Sequence, residues 1–185
     1  VAQEVKQSEV MIMKEKAKGR ERTTACLECG GPMKVSQRAH LYRFEWGLAV
    51  TVEKATVMTC SNCGAESVAI RAPLRLHRAV AAVVVRKPSR LASAEVAFLR
   101  HHLDMTGEEL ARHLGVSKTS VSRWETGREP IGQVPDRLLR TLVILHDWDG
   151  GHDRPDIGLF ASLGPGDKPS RIRVTMTGDD WRAAA

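Results

Sequence analysis

The chain has 185 residues, with 28 Lys and Arg against 22 Asp and Glu and a formal net charge of +6. That length holds one ordinary domain or two small ones, and the basic balance suits a polyanionic partner, nucleic acid first. The longest apolar run, Ala79 to Val85, is too short to span a bilayer and the charged N-terminus has no secretory apolar core, so a cytoplasmic protein with no membrane partner is expected.

Residues 1–24 read as a charged, disordered tail, with Glu15, Lys16, Arg20, Glu21 and Arg22 and no apolar stripe. Val1 suits a non-AUG start, with Met11 and Met13 as alternative starts. Residues 25–70 carry a cysteine pair near each end and alternate at period two between them. Tyr42, Phe44 and Trp46 alternate, then Leu48, Val50 and Val52, then Val57 onward. A small antiparallel sheet follows, with turns at Gly47 and around Glu53–Lys54. Residues 71–92 form a connector helix and linker. Leu74, Leu76, His77, Val80, Val83 and Val84 recur at helical spacing, Pro73 suits a first turn, and Lys87-Pro88-Ser89 stops the helix. Residues 93–148 read as all-helical, with helices near 94–103, 107–114, 118–125 and 135–147. Residues 149–185 are a Gly/Pro-rich tail with one short strand through Ile172, Val174 and Met176. The fold class is therefore α+β, a small β-rich four-cysteine domain followed by an all-α domain.

Cys26-Leu27-Glu28-Cys29-Gly30 and Cys60-Ser61-Asn62-Cys63-Gly64 share one spacing and one trailing glycine. Two such turns brought together aim four thiolates at one ion, which suits one structural Zn²⁺ per chain in a zinc ribbon. Iron in a rubredoxin-like centre is the rival reading. Four sulfur ligands leave no position open for water, and the seven histidines are dispersed, so no catalytic set and no enzyme is expected.

Thr106 and Glu109 make a capping box at a helix start; Leu110 and Leu114 form its buried stripe, Ala111 permits close crossing, and Gly115 breaks the helix. Ser117 caps a second helix whose inward residues are Val121 and Trp124. Those offsets match a helix-turn-helix. Through the run from Val116 to Gly127, and over roughly Glu95 to Leu145, the chain resembles the Cro/CI-type (XRE) helix-turn-helix family. By that resemblance Lys118, Thr119, Ser122 and Arg123 face base edges in the major groove. Phosphate contacts flank them at Arg128 and at the backbone of Thr106 and Gly107, where the family commonly has glutamine in place of Gly107. The same resemblance sets Arg100 beside Glu125.

Taken with Cys26, Cys29, Cys60 and Cys63, Arg90-Leu91, Phe98-Leu99-Arg100 and Ser122 to Glu125, the whole of 25–147 resembles the MqsA/YgiT-type antitoxin family. The resemblance implies a homodimeric repressor of its own operon on palindromic double-stranded operator DNA, with a toxin protein held by the zinc domain. A regulator without a toxin partner and a zinc or thiol redox sensor are the alternatives. The helix bearing Leu138, Leu139, Leu142, Val143 and Leu145 has more apolar surface than one small core needs, and its outer face is the candidate dimer interface.

Overall fold

The computed structural model describes residues 25–147, 158–161, 163–164 and 168–183. The tail expected over 1–24 and the loop expected from 149 lie outside them as far as residue 157. Strand β1 (Met33–Arg43) turns through Gly47, whose φ of 88° favours glycine, into β2 (Ala49–Cys60), and the two pair antiparallel. The tight turn at Gly47 is as expected, and Phe44 N–H donates to the Leu48 carbonyl across it.

Glu53–Lys54 is not a turn. Arg38 faces Ala55 and His40 faces Val52, so β2 spends three steps where β1 spends two, which is a bulge in a continuous strand. The bulge switches the parity of the inward residues: Val50 and Val52 before it and Ala55 and Val57 after it all lie buried on one face. A break in period two was thus the mark of an extra residue, not of a strand end.

The second edge of β2 is shared. Strand β3 (Glu66–Ala69) pairs antiparallel with residues 56–59, and strand β4 (Ile172–Thr177) pairs parallel with residues 50–52. Strand β5 (Asp180–Ala183) closes that side against β4. The strand expected through Ile172, Val174 and Met176 is therefore present, but it is part of the main sheet and has a partner in β5, so residues 172–183 are not a tail.

Helix α1 (Pro73–Val85) starts on Pro73 after Ala72 at φ 46° and lays Leu76, Val80, Ala81, Val84 and Val85 into the core. Helices α2 (Ser93–His102), α3 (Gly107–Leu114), α4 (Lys118–Glu125) and α5 (Gln133–Asp147) follow. α1 touches β4 and β5 as well as α2 and α5, so one buried cluster runs from Val50 and Ile172 through Val80 to Phe98, Leu110 and Leu139.

Two further junctions fasten sheet to helices. At the hairpin turn, Phe44 lies 4.9 Å from the Phe98 ring and Trp46 stacks on His101 at 4.1 Å. At the linker, fully buried Arg140 donates to Asp136 at 2.6 Å and to the carbonyls of Val85, Lys87 and Ser89. Asp136 accepts from Leu91 N–H, and Lys87 Nζ meets buried Glu95 at 2.8 Å. Burying charges is costly unless each is paired and hydrogen-bonded, and here each is. Among the described residues no helix is long and apolar enough to cross a membrane.

Candidate metal centre and nucleic-acid interface

The two knuckles are built alike. Gly30 N–H donates to the Cys26 carbonyl and Gly64 N–H to the Cys60 carbonyl, and both glycines sit at positive φ, 70° and 75°. Among the described residues nothing lies within 4 Å of a Cβ at either position, so backbone conformation rather than space selects glycine. The first knuckle precedes β1, and the second joins β2 to β3, so the β1–β2 ladder, which pairs Met33 with Cys60, brings them together.

Cys26 and Cys63 sulfurs lie 3.6 Å apart, Cys29 and Cys60 3.5 Å, and all four within 4.8 Å of one another. A tetrahedral ion with Zn–S bonds of about 2.3 Å sets its sulfurs about 3.8 Å apart, so the cage has the size of a single-ion centre. Amide donors from Cys63 and Asn62 draw the Cys60 thiol down to about 6. Cys63 is held down by the Ala65 amide, but the sulfurs of Cys29, Cys60 and Cys26 together outweigh it and push the thiol up to about 12. One thiolate thus forms readily and opposes the next; a divalent cation among the four reverses that opposition. The four cysteines are placed to bind one metal ion.

The candidate nucleic-acid interface rests on α3 and α4. Thr106 Oγ1 accepts from Glu109 N–H at 3.2 Å, and the Glu109 carboxylate accepts from Thr106 N–H at 2.8 Å, the reciprocal cap that the sequence signals. That Thr106 amide, and its firm donation, holds Glu109 below the usual carboxylate range. Gly115 ends α3 at φ 67°, and Ser117 caps α4 by accepting from Ser120 N–H. Leu110, Ala111, Leu114, Val121 and Trp124 are buried between the two helices and α2.

Lys118, Thr119, Ser122 and Arg123 lie on the opposite, exposed face of α4, one contiguous patch. Arg128 is exposed just beyond Gly127, and Arg123 rests against Glu129 at 3.4 Å with both side chains half exposed. Thr106 is exposed but already engaged, since its amide and hydroxyl both serve the Glu109 carboxylate. The Arg100–Glu125 pair forms as expected: Nε and Nη2 donate to the two carboxylate oxygens at 2.6 and 3.1 Å, and Nη1 donates to the Met105 carbonyl. With side chains only 13% and 17% exposed, this bidentate contact fixes α4 against α2 and the loop before α3.

The linker charges Lys87, Glu95, Asp136 and Arg140 went unread in the sequence, where Asp136 and Arg140 at i,i+4 look like an ordinary surface pair. His102 also converges with the adjacent pair His146 and Asp147, and its distance of 45 residues from Asp147 gives no local signal.

A family described as a helix-turn-helix domain matches residues 92–143, from the start of α2 into α5. No curated protein matches the chain. Over those residues the helical part is thus similar to a helix-turn-helix domain, which suggests a DNA-binding transcription regulator.

Proposed function

We propose that the protein is a sequence-specific repressor of the antitoxin type, a homodimer that binds a palindromic operator in double-stranded DNA of the cytoplasm. The single observation that carries this reading is the α4 face: Lys118, Thr119, Ser122 and Arg123 point outward above buried Val121 and Trp124. Arg123 and Lys118 suit the acceptors of guanine in the major groove, and Thr119 and Ser122 suit either base edge. Arg128 and the first turn of α3 at Thr106 flank the groove as phosphate contacts, with Gly107 N–H the better placed donor because Glu109 holds Thr106.

Zinc, one structural ion per chain, fills the cage of Cys26, Cys29, Cys60 and Cys63. Functionally the chain divides at the limits read from sequence, with a metal-bearing segment over 25–70, a connector over 71–92 and the DNA-binding domain over 93–148. Val134, Leu138, Thr141 and Leu145 recur at four, three and four residues along α5; Val134, Leu138 and Leu145 are exposed. That heptad spacing supports the outer side of α5 as the seam between two copies. A toxin partner would take the metal-bearing segment, where Leu27 is 85% exposed at a knuckle tip.

The test is binding of the purified protein to DNA from upstream of its own gene, measured at fixed salt against scrambled DNA, with zinc analysis and co-purification of the neighbouring gene's product. Equal affinity for both DNAs would end the repressor reading. One observation favours a second reading: Cys29 and Cys63 are exposed, as a thiol sensor requires. Zinc release by mild oxidant that shifts operator affinity would establish that sensor; a red, iron-bearing protein would replace zinc by iron.

A further inference from the structure

Away from the cysteine cage, the last residue of α2 meets the last described turn of α5. His102 Nε2 lies 2.9 and 2.8 Å from the two oxygens of Asp147, and His146 Nδ1 lies 3.1 Å from Asp147 Oδ1. One ligand atom from each of the three residues falls within 4.8 Å of the others. We propose that His102, His146 and Asp147 form a second metal site, which takes one divalent transition ion of the zinc, cobalt or nickel class.

Four features support it. The donor set of two imidazoles and one carboxylate suits those ions and not magnesium or calcium, which prefer oxygen throughout. The separations of 2.8–3.1 Å from each imidazole nitrogen to the carboxylate are those of neighbouring ligands about 2.0–2.1 Å from a common ion, which replaces the protons the imidazoles otherwise share with the carboxylate. His102 is held ready: its side chain is 4% exposed and its ring stacks on Phe98 at 6.2 Å, so little order is lost on binding. His146, by contrast, is half exposed and leaves a path for entry. Three protein ligands leave room for water on the ion, unlike the four-sulfur cage. An ion there ties α2 to α5, and α2 carries Arg100, which braces the recognition helix through Glu125.

The experiment uses tag-free, full-length protein whose thiols have first been saturated with one equivalent of zinc. Titration with cobalt(II) is expected to show a second equivalent, with weak ligand-field absorption and none of the intense thiolate charge-transfer bands. His146→Ala, a surface change that leaves the core untouched, and Asp147→Asn are each expected to abolish the second equivalent and keep the first. Thermal melts of the same samples should rise with cobalt in the parent and not in either variant. Absence of a second bound ion in the parent, or a second ion that survives both substitutions, overturns the proposal and leaves a plain histidine–aspartate contact between helix ends.

Discussion

Replacing Arg140 by methionine keeps most of the aliphatic volume and removes the guanidinium. Asp136 then stands fully buried with Leu91 N–H as its side chain's one remaining partner among the described residues, having lost a cation at 2.6 Å. Breaking one partner from a buried pair costs about 3–5 kcal/mol. The carbonyls of Val85, Lys87 and Ser89 lose their donors in the same change, each worth about 1–3 kcal/mol if left orphaned. These losses share one group and do not add, so about 3–5 kcal/mol is the floor. Against a total stability of about 5–15 kcal/mol the variant sits near the edge of folding. For a chain of this size the melting temperature should fall by about 6–20 °C. Circular dichroism melts at neutral pH measure that, and hydrogen exchange at Leu91 reports the junction directly. Asp136→Asn combined with Arg140→Met removes the stranded charge and should recover part of the loss. A melting point within about 2 °C of the parent, with Leu91 still protected, would refute the argument that this network holds the linker in place.

Arg100→Ala should cost about 1.5–3 kcal/mol of stability, the range for hydrogen bonds to charged groups, with DNA preference unchanged. Arg123→Ala should do the reverse, losing about 1–3 kcal/mol of discrimination at one base position with an unaltered melt; equal weakening on operator and scrambled DNA would make Arg123 a phosphate contact. His77, packed on Phe44 at 5.0 Å, has its pKa lowered by burial and then by the charge of His102. Above the unfolded value of about 6.5 both states are neutral there; below it the unfolded chain takes the proton first. Stability should therefore fall as pH drops from about 6.5 through the folded value, and His77→Phe should flatten that slope in urea titrations. Leu138→Glu with Leu145→Glu should halve the mass seen by light scattering, and an unchanged mass would place the dimer seam elsewhere.

The helix-turn-helix was legible because its determinants are local. Thr106 with Glu109, Gly115 and Ser117 each act within four residues, and the helix limits expected from them agree with α3 and α4. The cysteine cage was legible for a similar reason, since each knuckle is complete in itself. What escaped notice depends on distant partners. The bulge at Glu53–Lys54 shows only as a change of parity, which a turn would also produce. β4 is a short alternating segment among glycines and prolines, and nothing near Ile172 announces Val50 as its neighbour. Lys87 and Glu95 flank Pro88, a residue that marks a linker, yet their side chains are buried together. Charge at such positions reads as solvent-facing until the fold encloses it.

The shared edge of β2 has a consequence for how the molecule comes into being. β1, β2 and β3 leave the ribosome early, but half of that edge waits for β4: Arg173 joins Glu53 across 120 residues of sequence. Until then the backbone of Val50 to Val52 lies open beside an apolar face, a template for any passing strand. Trp181, whose indole donates to the Arg71 carbonyl at 2.8 Å, arrives later still and closes the side where β5 meets α1. A shortened chain ending soon after α5 would carry the recognition helix and the cysteine cage intact, yet leave β2 without its parallel neighbour. Such a chain should be prone to aggregate during synthesis, and deletion studies that stop there would mistake a folding defect for a loss of DNA binding.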